Sequence, residues 1–120
     1  MGADAQQLLQ RALLGEAVDQ LEGVAVFVWN EERRYVAVSE EACRLVGLSR
    51  AELIGLPVGR LTPDGAAADL VRVQAGTVTD GRSSFTRRDG EVVNLEWTTV
   101  HTRIAGLPYM LSIVRRRADS

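Results

Sequence analysis

Apolar and polar residues alternate most regularly in the last third of the chain, which predicts three antiparallel strands. Val93, Leu95 and Trp97 are apolar while the residues between them are polar, and side chains alternate between the two faces of a strand. Asp-Gly between two such runs predicts a tight hairpin turn, because glycine reaches positive φ. The predicted segments are the strands Arg82–Arg88, Val92–Arg103 and Tyr109–Arg116, with turns at Asp89-Gly90 and at Ala105-Gly106-Leu107-Pro108.

A second hairpin and a preceding helix are predicted nearer the N-terminus. Gly23–Trp29 is apolar throughout, which indicates a strand buried on both faces, and Arg34–Val38 follows a polar turn as its partner. Residues 1–21 carry apolar side chains spaced by three or four, which predicts an amphipathic helix. Such a helix either covers the core of its own domain or docks on a second subunit, and the sequence leaves both interpretations open.

Three helix starts lie between the second and third predicted strands. Ser39 is suited to cap a helix that ends at Gly47. Ser49 and Glu52 have the spacing of a capping box, and a third helix is predicted over Pro63–Ala75. The order of one helix, two strands, three short helices and three strands predicts an α+β domain with a five-stranded antiparallel sheet.

Composition narrows the class of protein. The 120 residues suffice for one domain with one core, and 46% of them are hydrophobic. The net charge is −2, and the run Arg115-Arg116-Arg117 has too few charges and no aromatic residues for nucleic-acid binding. The single cysteine, Cys43, excludes an intramolecular disulfide, and neither a membrane-spanning run nor a signal peptide is present. We therefore expect a soluble cytoplasmic domain.

Two segments resemble one family, the PAS domains, and the resemblance covers about Leu9 to Arg115. Glu40–Pro57 is similar to the family pattern E-A-x-x-x-L-x-G-[YL]-S-x-E-E-L-I-G-x-P, and Arg87–Glu91 is similar to R-x-D-G before the long strand. The resemblance implies the PAS fold: a five-stranded antiparallel sheet with three short helices between strands 2 and 3. It divides the chain into an N-terminal helix at 1–21, a PAS domain at 22–116 and a tail at 117–120.

Three features of the sequence depart from the family pattern. Ser39 stands where the family commonly has Asn, although serine caps a helix equally well. Arg33 stands in the first turn where the family commonly has Gly. The closing Asp-Ile-Thr that leads into an output helix is replaced by Arg116-Arg117-Ala118, which leaves open whether such a helix follows.

The resemblance also implies a ligand cavity between the concave sheet face and the central helices. The same residues have a second interpretation as a filled core, which apolar residues at this spacing form more often. Ala25, Phe27 and Tyr109 are expected on the opposite, outer sheet face. The residues expected to face the cavity are Leu45, Leu53, Leu61, Leu70 and Val73 from the helices, and Leu95, Trp97, Thr99, Met110, Ser112 and Val114 from the last two strands.

No known cofactor signature of the family is present. Residues 63–75 contain no His of the kind that binds haem, and Gly55–Thr62 lacks the Cys of flavin-binding LOV domains. Cys43 lies too early to match the chromophore-binding Cys of photoactive yellow protein. We expect Cys43 to be a small buried hydrophobic residue and His101, the single histidine, to lie at the surface. The cofactor therefore remains unknown.

Two functions stay open. The first is a bacterial regulatory sensor that binds a small apolar ligand, forms a homodimer through the N-terminal helix and the outer sheet face, and acts on an effector protein or domain. The second is a ligand-free module with the same fold that only docks partners or dimerises. An enzyme is not expected, since the sequence has no phosphate-binding loop, no triad and no acid–base pair at a telling spacing. The sequence names neither the signal nor the effector.

Overall fold

Five strands form one antiparallel sheet in a computed structural model of the chain, which describes residues 23–58, 73, 75–76, 80–104 and 106–117. Across the sheet the strand order is β2-β1-β5-β4-β3, so the first strand of the chain pairs with the last. This arrangement confirms the predicted α+β class. The elements are β1 (Ala25–Trp29), β2 (Tyr35–Val38), α1 (Glu40–Val46), α2 (Arg50–Leu53), β3 (Asp80–Thr86), β4 (Val92–Ile104) and β5 (Leu107–Arg116).

All five residues of β1 are buried, as its unbroken apolar run predicts. Phe27 lies opposite Ser112 of β5 and packs into the main core cluster together with residues of α1 and α2. Val26 and Val28 belong to a separate cluster on the other side of the sheet. We call the side that carries Phe27 and Ser112 the inner face, and the side that carries Val26 and Val28 the outer face.

The expectation that Ala25 and Phe27 lie on the outer face is wrong. Ala25 pairs with Val114, and both residues belong to the core cluster of the inner face. A strand that is apolar at every position shows no alternation, so its sequence does not indicate which side chains point to which face. The third residue of that expectation, Tyr109, does pack against the outer cluster.

The turn between β1 and β2 contains a left-handed residue other than glycine. Arg33 has φ 61°, a conformation that costs a side-chain-bearing residue roughly 1–2 kcal/mol. Its N–H donates to the carbonyl of Asn30 (2.9 Å), and the Asn30 side chain accepts the N–H of Arg34 (3.1 Å). The positive φ explains why the family commonly has glycine at this position, where this chain has Arg33.

Of the two hairpin turns that flank β4, the first forms as predicted and the second is shorter than predicted. The turn at Asp89-Gly90 forms as expected, with Gly90 at φ 92° and the Arg87 N–H bonded to the Glu91 carbonyl (2.8 Å). Leu107 and Pro108, predicted as turn residues, belong instead to β5, where Pro108 lies opposite Arg103. Proline is tolerated near the start of a strand because a missing N–H is least disruptive there.

The exposed edge of β2 is covered by the segment that follows α2. Gly55 donates its N–H to the Tyr35 carbonyl (2.8 Å), and Tyr35 donates its own N–H to the Leu56 carbonyl (3.1 Å). An uncovered edge strand presents unpaired backbone groups to other chains. These contacts satisfy part of that edge and also fix the position of α2 relative to the sheet.

Several predictions lie outside the described residues. They include the helix and domain boundary at 1–21, nearly all of the helix at Pro63–Ala75, and the end of the tail at 118–120. The division into three segments therefore stays a prediction. Within the described part of the chain, no helix is both long and apolar enough to cross a lipid bilayer.

Candidate functional site

Helix α1 is fixed to the sheet through its buried N-cap. The Ser39 side chain is fully buried and accepts two backbone N–H groups, from Ala42 in the first turn of α1 (3.2 Å) and from Val26 in β1 (3.0 Å). The helix ends at Gly47, whose φ of 77° is left-handed. Both signals were predicted from the sequence, and the second hydrogen bond of Ser39 adds a link to the sheet.

Helix α2 follows as the predicted capping box. Ser49 accepts the backbone N–H of Glu52 (3.1 Å), and the Glu52 carboxylate accepts the backbone N–H of Ser49 (3.0 Å). The Arg50 guanidinium donates to the carbonyl of Val38 at the end of β2 (3.0 Å). Leu53 is fully buried in the core cluster below. One turn of helix is thus held by its cap, by the sheet and by the core.

Two arginines of the β3–β4 turn complete this region. Arg87 donates to the carbonyls of Arg44 (2.8 Å) and Leu45, which lie in the last turn of α1 where helix carbonyls lack intrahelical partners. Arg88 pairs with Glu52. The backbone N–H of Ser49 and, after it, the Arg88 side chain hold the pKa of Glu52 below its ordinary value. We call residues 39–55 together with Arg87 and Arg88 the helical corner.

A hydrogen-bonded set of three side chains lies on the inner face at the centre of the sheet. The indole N–H of Trp29 donates to Ser112 Oγ (3.0 Å), and Ser112 Oγ lies 2.8 Å from Thr99 Oγ1. The strand register produces this cluster, because Ser112 of β5 lies opposite Phe27 of β1 on one side and opposite Thr99 of β4 on the other. We call Trp29, Thr99 and Ser112 the hydroxyl network.

Part of the hydroxyl network borders accessible space. Thr99 is only 3% exposed, whereas Ser112 is half-buried although its strand is paired on both sides. Because pairing on both sides covers the backbone of β5, we expect the accessible surface of Ser112 to lie mainly on its side chain, which is on the inner face. Trp97 is also half-buried and lies against Gly81, where a Cβ atom would stand 2.6 Å from Trp97 Cζ2. Glycine at 81 makes room for the indole.

A groove of about 330 Å³ lies between α1 and the ends of β1 and β5. Its apolar residues belong to the inner-face core, and charged side chains from α1 and β5 line it as well. It therefore joins the inner face to the surface at this end of the sheet. The residues that line the groove are Gly23, Ala25, Glu41, Arg44, Leu45, Val114 and Arg116.

The structure brings most of the predicted cavity residues together. Trp97 packs against the edge of the core cluster, Thr99 and Ser112 meet in the hydroxyl network, and Leu61 and Leu70 lie outside the described residues. Whether this set binds a ligand stays a prediction. The predicted residues that belong to the core cluster itself are Leu45, Leu53, Val73, Leu95, Met110 and Val114.

Sequence reasoning missed Trp29 as a site residue. It ends the apolar run of β1, and the sequence alone gave no reason to separate it from the residues around it. A useful signal is that buried indoles usually find a hydrogen-bond acceptor, so a tryptophan inside a buried strand indicates a polar partner nearby. That partner, Ser112, is 83 residues away in the sequence.

The remaining titratable groups give little support for catalysis or metal binding. Burial raises the pKa of the Tyr35 phenol, which keeps it neutral, and its hydroxyl donates to the Val58 carbonyl at 3.5 Å. Cys43 packs against the core cluster but is half-buried, less deeply than expected, whereas His101 is exposed, as predicted. Among the described residues, no group of three or more His, Cys, Asp or Glu side chains is placed to hold a metal ion.

Comparisons with known proteins point to one family. The sequence model of the PAS fold matches residues 13–115. The PAS domain of a Desulfitobacterium hafniense protein superposes with TM-score 0.73 at 16% identity, covering 83% of this chain and 97% of its own. The PAS domain of an HTR-like protein from Haloarcula marismortui gives TM-score 0.72 at 19% identity, covering 98% and 100%. A domain of a sensory box sensor histidine kinase/response regulator from Geobacter sulfurreducens superposes with TM-score 0.68 at 25% sequence identity, covering 92% of this chain and 93% of its own. No curated protein sequence matches the chain.

Proposed function

This chain belongs to the PAS fold family, and from that premise we propose that it is a sensor domain whose inner sheet face binds a small, largely apolar ligand. The observation that carries the proposal is the half-buried Ser112 at the centre of a paired sheet, which leaves accessible space above the hydroxyl network. The similarity to a domain of a sensory box histidine kinase supports a role in signalling. Binding alters an effector only if the ligand has different affinities for two conformations of the domain.

Native mass spectrometry of the purified chain, loaded with a hydrophobic extract of its expression host, tests this proposal. We expect extra mass that disappears on denaturation. Ser112→Phe fills the space above the network and should abolish the extra mass. Ile113→Phe places the same side chain on the next residue of β5, which faces the outer side of the sheet, and should retain it.

Two results would count against the ligand-binding proposal. One is a wild-type chain that never carries extra mass after loading. The other is equal loss of bound mass in Ser112→Phe and Ile113→Phe while circular dichroism shows both variants folded, because that result would place the ligand away from the inner face. Either result would favour the ligand-free docking module.

The outer face supports a second element of the proposal, a homodimer. Val100 is 48% exposed on the outer side of β4 and lies opposite the half-buried Leu111 of β5. Tyr109 and Leu111 also pack against the apolar outer cluster. Val100 thus extends a partly buried apolar cluster to the surface, and exposed apolar patches are candidates for contact with another protein. We propose that a second copy of the chain covers it, together with residues 1–21.

Light scattering coupled to size exclusion tests the dimer. Val100→Arg places a charge in the centre of the proposed interface and should give a monomer. Val92→Arg is the matched control, because Val92 is 61% exposed at the far end of the same strand, and it should leave the dimer intact. A wild-type monomer, or a dimer that survives Val100→Arg, would contradict this interface without bearing on ligand binding.

The proposal is for a regulatory domain in the cytoplasm rather than for an enzyme. The hydroxyl network consists of neutral groups, and neither of its two hydrogen bonds reaches a carboxylate or an imidazole that would activate a hydroxyl as a nucleophile. Its arrangement suits recognition of a ligand. Nucleic-acid binding and membrane insertion form no part of the proposal.

A further inference from the structure

The hydroxyl network has three hydrogens to donate but forms only two hydrogen bonds among its own members. Trp29 contributes one N–H, and Thr99 and Ser112 contribute one O–H each. The indole hydrogen is used in the bond to Ser112 Oγ, and one hydroxyl hydrogen lies between the two hydroxyl oxygens. The third hydrogen, on either Thr99 or Ser112, has no acceptor among the described residues.

The surplus hydrogen lies either on the buried Thr99 or on the half-buried Ser112, which borders accessible space. Thr99 is 3% exposed, and it and Ser39 are the buried serine and threonine side chains of the described residues. Ser39 accepts two backbone N–H groups, whereas the two bonds of the hydroxyl network both join side chains. Both hydroxyl oxygens already take part in a hydrogen bond, so the surplus hydrogen is a spare donor that an acceptor on a ligand at the accessible side of Ser112 would receive.

The surroundings restrict the chemistry of that acceptor. Next to the network on the inner face lie Phe27 on β1 and Met110 and Val114 on β5, all buried. No charged side chain is buried among the described residues. A buried ion without a paired opposite charge costs far more than a neutral polar group. A neutral oxygen on an apolar body therefore fits better than a carboxylate or a phosphate.

We infer that the hydroxyl network selects the ligand: the inner face takes a neutral, mainly apolar molecule that carries one hydrogen-bond acceptor oxygen, such as a ketone, ester or ether. The surplus hydroxyl hydrogen of Thr99 or Ser112 donates to that oxygen, and the indole of Trp29 holds Ser112 in position. This inference rests on the proposed function, because it presupposes a ligand on the inner face.

Two probes of nearly equal shape test the inference. Acetophenone has a carbonyl oxygen where α-methylstyrene has a CH₂ group, so only the first offers an acceptor. Dissociation constants come from titrations followed by backbone amide chemical shifts, with the shifts around Thr99 and Ser112 reporting the site. We expect wild-type protein to bind acetophenone roughly tenfold more tightly, as one hydrogen bond to a buried donor implies.

Variants separate the donor from simple packing. A triple variant, with Trp29→Phe, Thr99→Val and Ser112→Ala, lacks all three donor hydrogens. It should bind acetophenone and α-methylstyrene about equally tightly. Any one of these changes alone leaves at least one donor, so single variants should retain a preference. Thr98→Val is the matched control: Thr98 is the next residue of β4, exposed on the outer face opposite Ile113, and its loss should change nothing.

Each outcome of the titrations decides between the two proposals. If wild-type protein binds neither probe at millimolar concentration, the proposed ligand site fails and this inference fails with it. If it binds both probes equally at the inner face, the ligand site stands and the inference is overturned, since the surplus hydrogen is then satisfied in another way. A preference that persists in a folded triple variant also overturns it. Failure of the triple variant to fold leaves the wild-type comparison to decide.

Discussion

The helical corner and the centre of the sheet use hydroxyl groups in opposite ways. In the corner, Ser39 accepts two backbone N–H groups and Ser49 accepts one, so these oxygens stabilise the fold. At the sheet centre, Thr99 and Ser112 bond to each other and to an indole, and one hydrogen remains over. The difference is the basis for the proposal that the hydroxyl groups of the corner serve the fold and those of the sheet centre serve ligand recognition.

Substitutions that change side-chain packing should give the largest difference in unfolding free energy between the helical corner and the sheet centre. Leu53→Ala removes a fully buried side chain of the corner and should lower the free energy of unfolding by about 2–5 kcal/mol. Ser112→Thr adds a methyl group at the sheet centre while keeping the hydroxyl, and it should cost less than about 1 kcal/mol because the space above Ser112 is open. Overpacking of a filled core would cost about 1–3 kcal/mol instead.

Urea unfolding of both variants and of wild-type protein measures these differences. Leu107→Ala, at a leucine that is 58% exposed at the start of β5, controls for leucine truncation at the surface and should change stability little. If Ser112→Thr destabilises the protein as much as typical overpacking does, the sheet centre is as closely packed as the helical corner, and the proposed difference between the two regions is contradicted.

Removing one hydroxyl from each region should give the next largest contrast. Ser39→Ala leaves two buried N–H groups without their acceptor and should cost about 2 kcal/mol. Thr99→Val removes a hydroxyl that bonds only to Ser112, and it should cost less than about 1 kcal/mol. Thermal unfolding followed by circular dichroism measures the loss of stability in both variants. Equal losses would show that the hydroxyl network stabilises the fold as much as the Ser39 cap does.

The corner was predictable from the sequence because its signals are local. Ser39, Gly47 and the pair Ser49 and Glu52 lie within one or two helical turns of the groups they cap, and all formed as predicted. The order of the elements and the alternation in β4 carried the prediction of the sheet. The resemblance to the PAS family added the expectation that one sheet face and the helices enclose a site.

The sheet centre was not predictable in the same way because it depends on long-range register. Trp29 and Ser112 meet only because β1 pairs with β5 in the register that sets Phe27 opposite Ser112. The apolar run of β1 does not reveal its phase, which is why Ala25 and Phe27 were assigned to the wrong face. Thr99 and Ser112 were expected on the inner face, but their hydrogen bond was not.

The two arginines of the β3–β4 turn test how the corner is held. Arg87 is mostly buried, with 21% of its side chain exposed, and donates to two helix carbonyls. Arg87→Met keeps the aliphatic stem, removes the donors and should cost about 1–2 kcal/mol. Arg88→Met removes an exposed ion pair with Glu52 and should change the urea midpoint little at neutral pH. Equal effects of the two variants would mean that Arg87 does not anchor α1.

The smallest expected effect is a pH dependence that belongs to the corner alone. The backbone N–H of Ser49, followed by Arg88, lowers the pKa of Glu52 in the folded protein, so the folded state binds its proton less readily than the unfolded chain does. The resulting stabilisation is fully present above the pKa of the unfolded chain, about 4.3, and is lost as the pH falls through the lower folded value. Glu52→Gln should therefore flatten the decline of the urea midpoint below about pH 4.3. Glu96→Gln, at an exposed glutamate of β4, serves as the control. An identical acid profile for Glu52→Gln and wild-type protein would show that the capping box stabilises α2 without its charge.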